Sequence, residues 1–277
     1  MKDYDPAWAG EKSTPKSERK RIDKETLTED TTALSEAQER LYAADSWAIL
    51  VLFQAMDAAG KDSTIKHVMT GVNPQGVQVT SFKHPSDEER QHDFLWRCSK
   101  VLPQRGRIGI FNRSYYEDVL IVKVHPELVT SQRIPGGREG KDFWEDRYED
   151  INGFERHLSR NGTKVLKFFL NVSTDEQRSR FLDRLNESKK HWKFSPLDLV
   201  ERGFWDDYMA AYEDALGATS TDWAPWYVIP ADHKWIARAL VATILTTEIQ
   251  ALDLRYPEVT PEQESQIKAA KASLEAE

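Results

Sequence analysis

The chain has 277 residues, of which 39% are hydrophobic and 30% charged, and its formal net charge is −8. This composition is ordinary for one large domain with a buried core, and the acidic balance excludes a general nucleic-acid-binding protein. Because there is one cysteine, Cys98, and no apolar run near the roughly 20 residues that span a bilayer, we expect no disulfide framework, no membrane partner and a cytoplasmic location.

The predicted elements alternate between strand and helix along most of the chain. Residues 1–29 are predicted to form an extended polar arm, followed by a helix over 36–44. Strands are predicted at 47–53, 77–82, 107–112, 164–171 and 226–230, and helices at 61–70, 87–101, 142–158, 174–186, 197–216 and 234–252. This alternation predicts an α/β fold of three layers, in which helices cover both faces of a parallel sheet of about five strands.

The same pattern predicts that the chain is divided into three parts. Residues 1–45 form the N-terminal arm and helix, 46–255 form the core, and 256–277 form a polar C-terminal tail. Within the core, the helices over about 174–216 are expected to form a hairpin. In parallel sheets ligands gather at the carboxyl ends of the strands, so residues that follow strands are the candidates for a functional site.

The first such candidate is the segment 47–64, WAILVLFQAMDAAGKDST. A continuous apolar run leads into small residues and then Gly60-Lys61, which is typical of a buried strand entering a phosphate-binding loop and a helix. The usual pattern is G-x-x-x-x-G-K-[ST]. Here Ala55 replaces the first glycine, and Asp62 stands where the metal-binding hydroxyl is expected. The alternative is a tight turn that contains Gly-Lys without binding phosphate.

The second candidate follows the strand at 107–112. Asn112 occupies the position where many P-loop enzymes have an aspartate, and Arg113 comes directly after it. Arginine presents a planar fork of donors that suits phosphate, and Glu117 lies about one turn further on. The alternative is an arginine that only pairs with Glu117. Lys83 follows the strand at 77–82 and is expected at the same edge.

The third candidate is a basic segment over 178–193. It contains six lysines and arginines against two acidic residues in a chain whose net charge is negative. As the tip of a helical hairpin it could close over phosphates and exclude water. The alternative is a solvated helix end, although we expect Trp192 to anchor the tip because large aromatic side chains are seldom fully solvated.

Taken together, these motifs resemble the family-2 polyphosphate kinases. The segments that carry the resemblance are QAMDAAGKD (54–62), FNRSYYED (111–118), KHWKFSP (190–196), WDDY (205–208) and WYVIPAD (226–232). The resemblance spans roughly residues 47–252 and implies a P-loop kinase core with a helical lid. Ala55, Asn112 and Glu117 depart from the commoner classes, which tend to have Gly, Asp and Asn there. This set looks like the third class, which is associated with phosphorylation of both AMP and ADP.

The resemblance also implies roles for individual residues. Lys61 would contact the transferring phosphoryl group, Arg113 a donor or acceptor phosphate, and Asp57 and Glu117 a magnesium ion (or manganese) or the nucleotide. Catalysis would then fall to Asp57, Lys61, Arg113 and Glu117. Phosphate, polyphosphate or nucleotide would be bound by Ala58, Ala59, Gly60, Asp62, Ser63, Lys66, Lys83, Asn112, Arg178, Lys189, Lys190 and Lys193.

The function implied is reversible transfer of a terminal phosphoryl group from inorganic polyphosphate to AMP and ADP, with GMP and GDP as further candidates. A homo-oligomer, dimer or tetramer, is also expected. Two alternatives stay open at this point: an ATP-dependent nucleoside or nucleotide kinase with the same core, and a non-catalytic protein that binds polyphosphate or nucleotide.

Overall fold

The fold is built on a sheet of five parallel strands. A computed structural model describes residues 3–11, 13–135 and 140–277. The strands are β1 (Ala48–Gln54), β2 (Val77–Ser81), β3 (Ile108–Asn112), β4 (Thr163–Asn171) and β5 (Trp226–Pro230). Their order across the sheet is β2-β3-β1-β4-β5, and each of these neighbouring pairs is parallel. The predicted α/β fold with a parallel sheet is therefore confirmed.

Helices cover both faces of this sheet. They are α1 (Lys16–Ala44), α2 (Lys61–Val68), α3 (Trp96–Ser99), α4 (Ile121–Val124), α5 (Glu127–Ser131), α6 (Lys141–Arg160), α7 (Thr174–Asn186), α8 (Pro196–Arg202), α9 (Trp205–Thr219), α10 (Lys234–Gln250) and α11 (Pro261–Glu275). Helices α1 and α2 pack with α10, while α6 packs with α9 and β4. In the described part of the chain, no helix combines the length and the apolar character needed to cross a bilayer.

The central strand β1 is buried along its whole length, as expected for a strand covered on both faces. Phe53 pairs in register with Asn112 of β3 and Phe168 of β4. The carboxyl ends of the three central strands therefore meet at one edge. The loops that follow them, which carry the predicted phosphate-binding residues, are brought together there.

The N-terminal region differs from the sequence-based prediction. Residues 16–29 belong to the long helix α1, so the expected extended arm over 1–29 is wrong for that part. This stretch contains no glycine or proline, and Arg21 bonds both Glu18 and Glu25 at 2.6 Å, in the spacing that supports a helix. The Thr246 hydroxyl of α10 also donates to the Asp30 carbonyl at 3.2 Å, which fixes α1 against the core.

Two predicted helices are interrupted. The helix expected over 87–101 is reduced to a short 3₁₀ turn and α3. Between them the Asp93 carboxylate accepts the Leu95 amide at 2.9 Å, a local bond that competes with a continuous helix. The helix expected over 197–216 is divided into α8 and α9 at Gly203, which has a low helix propensity. The polar C-terminal residues 261–275 form α11, which is exposed along its whole length.

Candidate active site

The turn between β1 and α2 has the shape of an anion-binding loop. Gly60 precedes the first helical residue with φ of 109°, and Ala58 also has a left-handed backbone with φ of 61°. Helix α2 then begins at Lys61, with its unpaired amides and positive dipole end at the loop. The loop is therefore arranged to bring backbone N–H groups to a phosphate.

Lys61 is buried inside this loop. Its ammonium group donates to the Ala55 carbonyl at 2.7 Å and lies 3.4 Å from the Met56 carbonyl. Burial, followed by the nearby Arg113 charge, lowers the pKa of Lys61 to about 8 against the opposing effect of Asp57. A lysine held in this way gains stabilisation when an anion enters the loop.

Arg113 lies between two carboxylates. Its guanidinium donates to Asp57 Oδ1 at 2.8 Å and lies 3.9 Å from Glu117 Oε2. These acids raise the pKa of Arg113, with Glu117 as the largest cause. The pairing with Asp57 is the shorter one, so Arg113 is not committed to Glu117 alone. Arg113 also has a left-handed φ of 66°, which is uncommon for a non-glycine residue and frequent at functional sites.

A buried network supports the segment that carries Arg113. The hydroxyls of Tyr115 and Tyr116 both donate to Glu155 Oε1 at 2.9 Å. The Lys167 ammonium donates to Glu155 Oε2 at 2.6 Å, and all four side chains are excluded from solvent. Charged and hydroxyl groups are stable in the protein interior only when their hydrogen bonds are complete. Because breaking these bonds would leave buried polar groups unpaired, the network holds residues 112–118 in position on the sheet.

The start of α2 is tied to two other elements. Asn112 at the end of β3 donates to Asp62 Oδ1 at 2.7 Å, and Arg238 of α10 donates to the Ser63 hydroxyl at 2.8 Å. The Lys193 ammonium lies 3.9 Å from Asp62 Oδ2. The two departures from the usual motif, Asp62 and Asn112, therefore bond each other.

These residues open into a strongly basic cleft of about 930 Å³. Its positive lining residues are Lys61, Lys66, Lys83, Arg113, Arg180, Arg184, Lys190, Lys193, Lys234 and Arg238. Its acidic lining residues are Asp57, Asp62 and Asp183. Ten cationic side chains against three aspartates give a field that attracts a highly charged anion, although the whole chain is acidic.

A second, smaller cavity of about 220 Å³ adjoins the cleft at Asp57, His84 and Arg113. Its lining includes four carboxylates, two arginines and an apolar wall. These residues are Asp57, Glu117, Asp198, Glu201, Arg113, Arg202, Met56, Leu120, Ile121, Leu197, Tyr208 and Tyr212. Burial and the nearby Asp57 carboxylate raise the pKa of Asp198, while Arg184 opposes that shift. Arg113 thus separates a basic space from an acidic one.

Most residues predicted from the sequence line one of these two spaces. The cleft includes Asp57, Ala58, Ala59, Gly60, Lys61, Asp62, Ser63, Lys66, Lys83, Asn112, Arg113, Lys190 and Lys193. Glu117 lines the second cavity. Arg178 and Lys189 are exposed and lie outside both linings. Trp192 lines the cleft but is 78% exposed, so the expectation that it anchors the tip of the hairpin is wrong.

Two of the basic cleft residues, Arg180 and Arg184, belong to the basic segment predicted over 178–193, whereas sequence reasoning missed two others, Lys234 and Arg238. Lys234 and Arg238 lie one turn apart at the start of α10, which follows β5. Because functional residues of parallel sheets follow the strands, their position after β5 could have identified them. Burial, followed by the charge of Arg180, lowers the pKa of both Lys234 and Arg238.

Two carboxylates of the site, those of Asp57 and Glu117, are candidates to hold a divalent cation. Over residues 3–11, 13–135 and 140–277, no cluster of three or more His, Cys, Asp and Glu side chains is arranged to hold a metal. Mg²⁺ at phosphoryl-transfer sites usually takes one or two carboxylates together with substrate phosphates. Asp57 and Glu117, on either side of Arg113, meet that smaller requirement.

Comparison with known proteins identifies relatives of high similarity. The family model for polyphosphate kinase 2 matches residues 17–257. The chain is 53% identical over 251 residues to the ADP-polyphosphate phosphotransferase of Rhodopseudomonas palustris, covering 90% of this chain and 87% of that protein. It is 48% identical over 225 residues to the AMP/ADP-polyphosphate phosphotransferase of Meiothermus ruber, covering 81% and 80%. The crystal structure of polyphosphate kinase 2 from Arthrobacter aurescens superposes with a TM-score of 0.86 at 39% identity, covering 97% of this chain and 92% of that one.

Proposed function

The chain belongs to the polyphosphate kinase 2 family, and we propose that it transfers the terminal phosphoryl group of inorganic polyphosphate to both ADP and AMP. It is a polyphosphate:nucleotide phosphotransferase. The observation that carries the finer proposal is the meeting of the basic cleft and the second cavity at Arg113, beside Lys61. This arrangement offers separate places for two anionic reactants.

The basic cleft suits the donor. Polyphosphate carries about one negative charge per phosphate and no base or sugar, so a long lining of lysine and arginine can bind it by charge alone. The lining continues from Lys61 to Lys190 and Lys193 on the hairpin, far more cation than one triphosphate needs. We assign the terminal phosphoryl group of the chain to the loop around Lys61.

The second cavity suits the acceptor. Its apolar wall, including Leu197 and Tyr212, can contact a nucleoside, and Arg113 and Arg202 can contact its phosphates. Four carboxylates beside an anionic nucleotide are unfavourable unless a cation lies among them. This supports the proposal that Mg²⁺, with Mn²⁺ as a substitute, accompanies the nucleotide at Asp57 and Glu117.

Two observations support the proposal that both AMP and ADP are acceptors: the names of the relatives and the residues at three positions. The R. palustris relative is named for ADP alone, and the M. ruber relative for AMP and ADP. Ala55, Asn112 and Glu117 together look like the class associated with both acceptors. We therefore propose that AMP and ADP are both phosphorylated, giving ADP and ATP, and that the reaction is reversible.

The chemistry needs positioning more than proton transfer. An oxygen of the nucleotide's terminal phosphate attacks the last phosphorus of polyphosphate. A new P–O bond forms there as the bond to the next phosphate breaks, and the shortened chain leaves with that bridging oxygen. Because the attacking oxygen is already ionised, no strong general base is required. Lys61 and Arg113 offset the repulsion between the anions, and bound Mg²⁺ adds charge neutralisation.

We also assign residues 174–216, which include α7, α8 and part of α9, to a lid over the site. The Arg184 guanidinium joins its two halves by donating to Asp198 Oδ2 at 2.9 Å and to the Lys193 carbonyl at 3.1 Å. A closed lid excludes water, which would otherwise hydrolyse the donor.

The proposal is tested by supplying AMP, ADP, GMP or GDP with Mg²⁺ and one donor, either polyphosphate of defined length or ATP. We expect ADP from AMP and ATP from ADP with polyphosphate as the only donor. Turnover with ATP and not with polyphosphate would favour an ATP-dependent nucleotide kinase. Tight polyphosphate binding without turnover would favour a binding protein, and turnover of ADP but not AMP would refute the acceptor range.

A further inference from the structure

Arg180 of α7 lines the basic cleft, yet its five N–H donors are fully used by the protein. Its Nε donates to Glu176 at 2.7 Å. One terminal nitrogen donates to the carbonyls of Ala58 and Ala59 at 3.1 and 2.6 Å. The other donates to the carbonyls of Ala231 and Asp232 at 2.5 and 3.1 Å. A guanidinium has five such donors, so none is left for a phosphate oxygen.

Gln177, one turn earlier on the same helix, extends this pattern. Its amide nitrogen donates to the Asp57 carbonyl at 2.9 Å, and its oxygen accepts from Arg202 of α8 at 2.5 Å. Gln177 is 1% exposed, so these bonds form out of contact with water. Helix α7 thus bonds three successive carbonyls of the phosphate loop, those of residues 57, 58 and 59.

The direction of these carbonyls determines the direction of the neighbouring amides. In a trans peptide unit the carbonyl of one residue and the N–H of the next point in opposite directions. Because the carbonyls of Asp57, Ala58 and Ala59 face α7, the N–H groups of Ala58, Ala59 and Gly60 face away from it. The Ala59 N–H turns back to the Met56 carbonyl at 3.3 Å, so the amides of Ala58 and Gly60 are the ones that can donate to an anion entering the loop.

The loop needs such support because its own sequence does not favour this shape. Ala58 has a left-handed φ of 61°, which is unfavourable for a residue with a Cβ. Ala55 stands where the usual motif has its first glycine. A strained conformation persists only where the surrounding structure fixes it, and the bonds from α7 supply that constraint.

We propose that Arg180 and Gln177 are positioning residues that clamp the backbone of the phosphate loop, and that Arg180 is not a polyphosphate ligand although it lies on the cleft wall. Through Arg202 the same clamp joins the loop to the second lid helix. This inference rests on the proposed function for its kinetic consequence. Its structural consequence, the fixed direction of the Ala59–Gly60 peptide, is measurable without any substrate.

The first test is Arg180→Lys, which keeps the charge but loses the fork of donors. The matched control is Arg105→Lys, since Arg105 bonds the Ser46 and Asn161 carbonyls at 2.5 and 3.2 Å at the opposite edge of the same sheet. We expect Arg180→Lys to lower kcat about 10²-fold, the effect of losing one preorganised donor, with a polyphosphate KM within about threefold of wild type. Arg105→Lys should leave both constants within about twofold.

A second readout uses NMR with [1-¹³C]alanine and [¹⁵N]glycine. The sequence contains two Ala-Gly pairs, Ala9-Gly10 and Ala59-Gly60, so two cross-peaks are expected. The Ala9 carbonyl is bonded by Arg19 at 2.6 Å and serves as an internal reference. Arg180→Lys should move the Ala59-Gly60 peak alone, and inorganic triphosphate should shift Gly60 in the wild type more than in the variant.

The outcomes separate the two roles. A polyphosphate KM raised about tenfold with unchanged kcat would make Arg180 a ligand and overturn the proposal. An unmoved Ala59-Gly60 peak would overturn it as well. If Arg180→Lys does not fold, Gln177→Met, which keeps the buried volume but loses both bonds, must lower kcat while polyphosphate KM holds. Wild type that shows no polyphosphate turnover refutes the proposed function, while the NMR result still decides the clamp.

Discussion

Two cavities meet at Arg113, and their linings carry opposite charge. The basic cleft has ten lysines and arginines against three aspartates, whereas the second cavity has four carboxylates against two arginines. A uniform chain of phosphates is bound by the sum of many cations, each of which contributes a little. A nucleotide needs an apolar wall, a few directed contacts and a metal ion. In the proposed assignment, this difference keeps the two polyanions apart until their reacting atoms meet.

Residues of the phosphate loop line both cavities. Substitution of Lys61, which lies in this loop, should therefore have the largest effect on turnover. We expect Lys61→Ala to lose about 3–4 kcal/mol of transition-state stabilisation, which is roughly 10²–10³-fold in kcat. The loss should be similar with AMP and with ADP, because the proposed role of Lys61 is to contact the transferred group, which is the same for both acceptors. Steady-state rates with saturating polyphosphate measure it, and near-normal turnover removes Lys61 from the mechanism.

Glu117 tests the second cavity. Glu117→Gln keeps the shape of the side chain but removes a carboxylate that lies 3.9 Å from Arg113. We expect kcat/KM for the nucleotide to fall about tenfold, together with a higher Mg²⁺ requirement, because one of the two proposed metal ligands loses its charge. The polyphosphate KM should stay close to the wild-type value. A change in the polyphosphate KM alone would place Glu117 on the donor side.

Lys193 tests the cleft. Lys193→Ala should raise the polyphosphate KM about fivefold at low salt and less at high salt, because exposed charges are screened. The nucleotide KM should not change.

Lys189→Ala tests whether Lys189 binds polyphosphate, as predicted from the sequence, or lies outside the site, as its position in the structure indicates. Lys189 lies outside the cleft lining, so its substitution should have less effect than that of Lys193. Equal effects would show that the hairpin tip rearranges around polyphosphate.

The smallest effect concerns pH. The protonated form of Lys61 attracts phosphate, and its pKa is lowered to about 8 by burial. In the free enzyme kcat/KM for polyphosphate should therefore be level below pH 8, about half of that level at pH 8, and lower as pH rises further. Bound phosphate favours the charged form, so kcat should decline at a higher pH than kcat/KM. Identical profiles for the two constants would contradict this assignment.

The sequence predicted the sheet and the phosphate loop because both depend on local patterns. The apolar run of β1, the Gly60-Lys61 turn and the position of Arg113 after β3 are all continuous in the chain. The basic segment shows where local reasoning failed. Arg178 and Arg180 are about 200° apart around a helix, so only one can face the loop. Gln177, Arg180 and Arg184 share a face by spacing, which a helical projection of α7 would have revealed.

The second cavity could not be predicted in the same way. It is formed where Glu117, α8 and α9 meet, and no local pattern reports a contact between segments about 80 residues apart. The same holds for the bonds from Arg180 to the loop after β5. These contacts depend on the strand order, which places β4 between β1 and β5.

The most direct measurement is a crystal structure with ADP, Mg²⁺ and an inert polyphosphate analogue bound together. We predict the analogue along Lys190 and Lys193 with its end at Lys61, and the nucleotide phosphates on the other side of Arg113 with the nucleoside toward Tyr212. Both molecules in the basic cleft, or their positions exchanged, would contradict the division of the site between a cationic donor space and an acidic acceptor space.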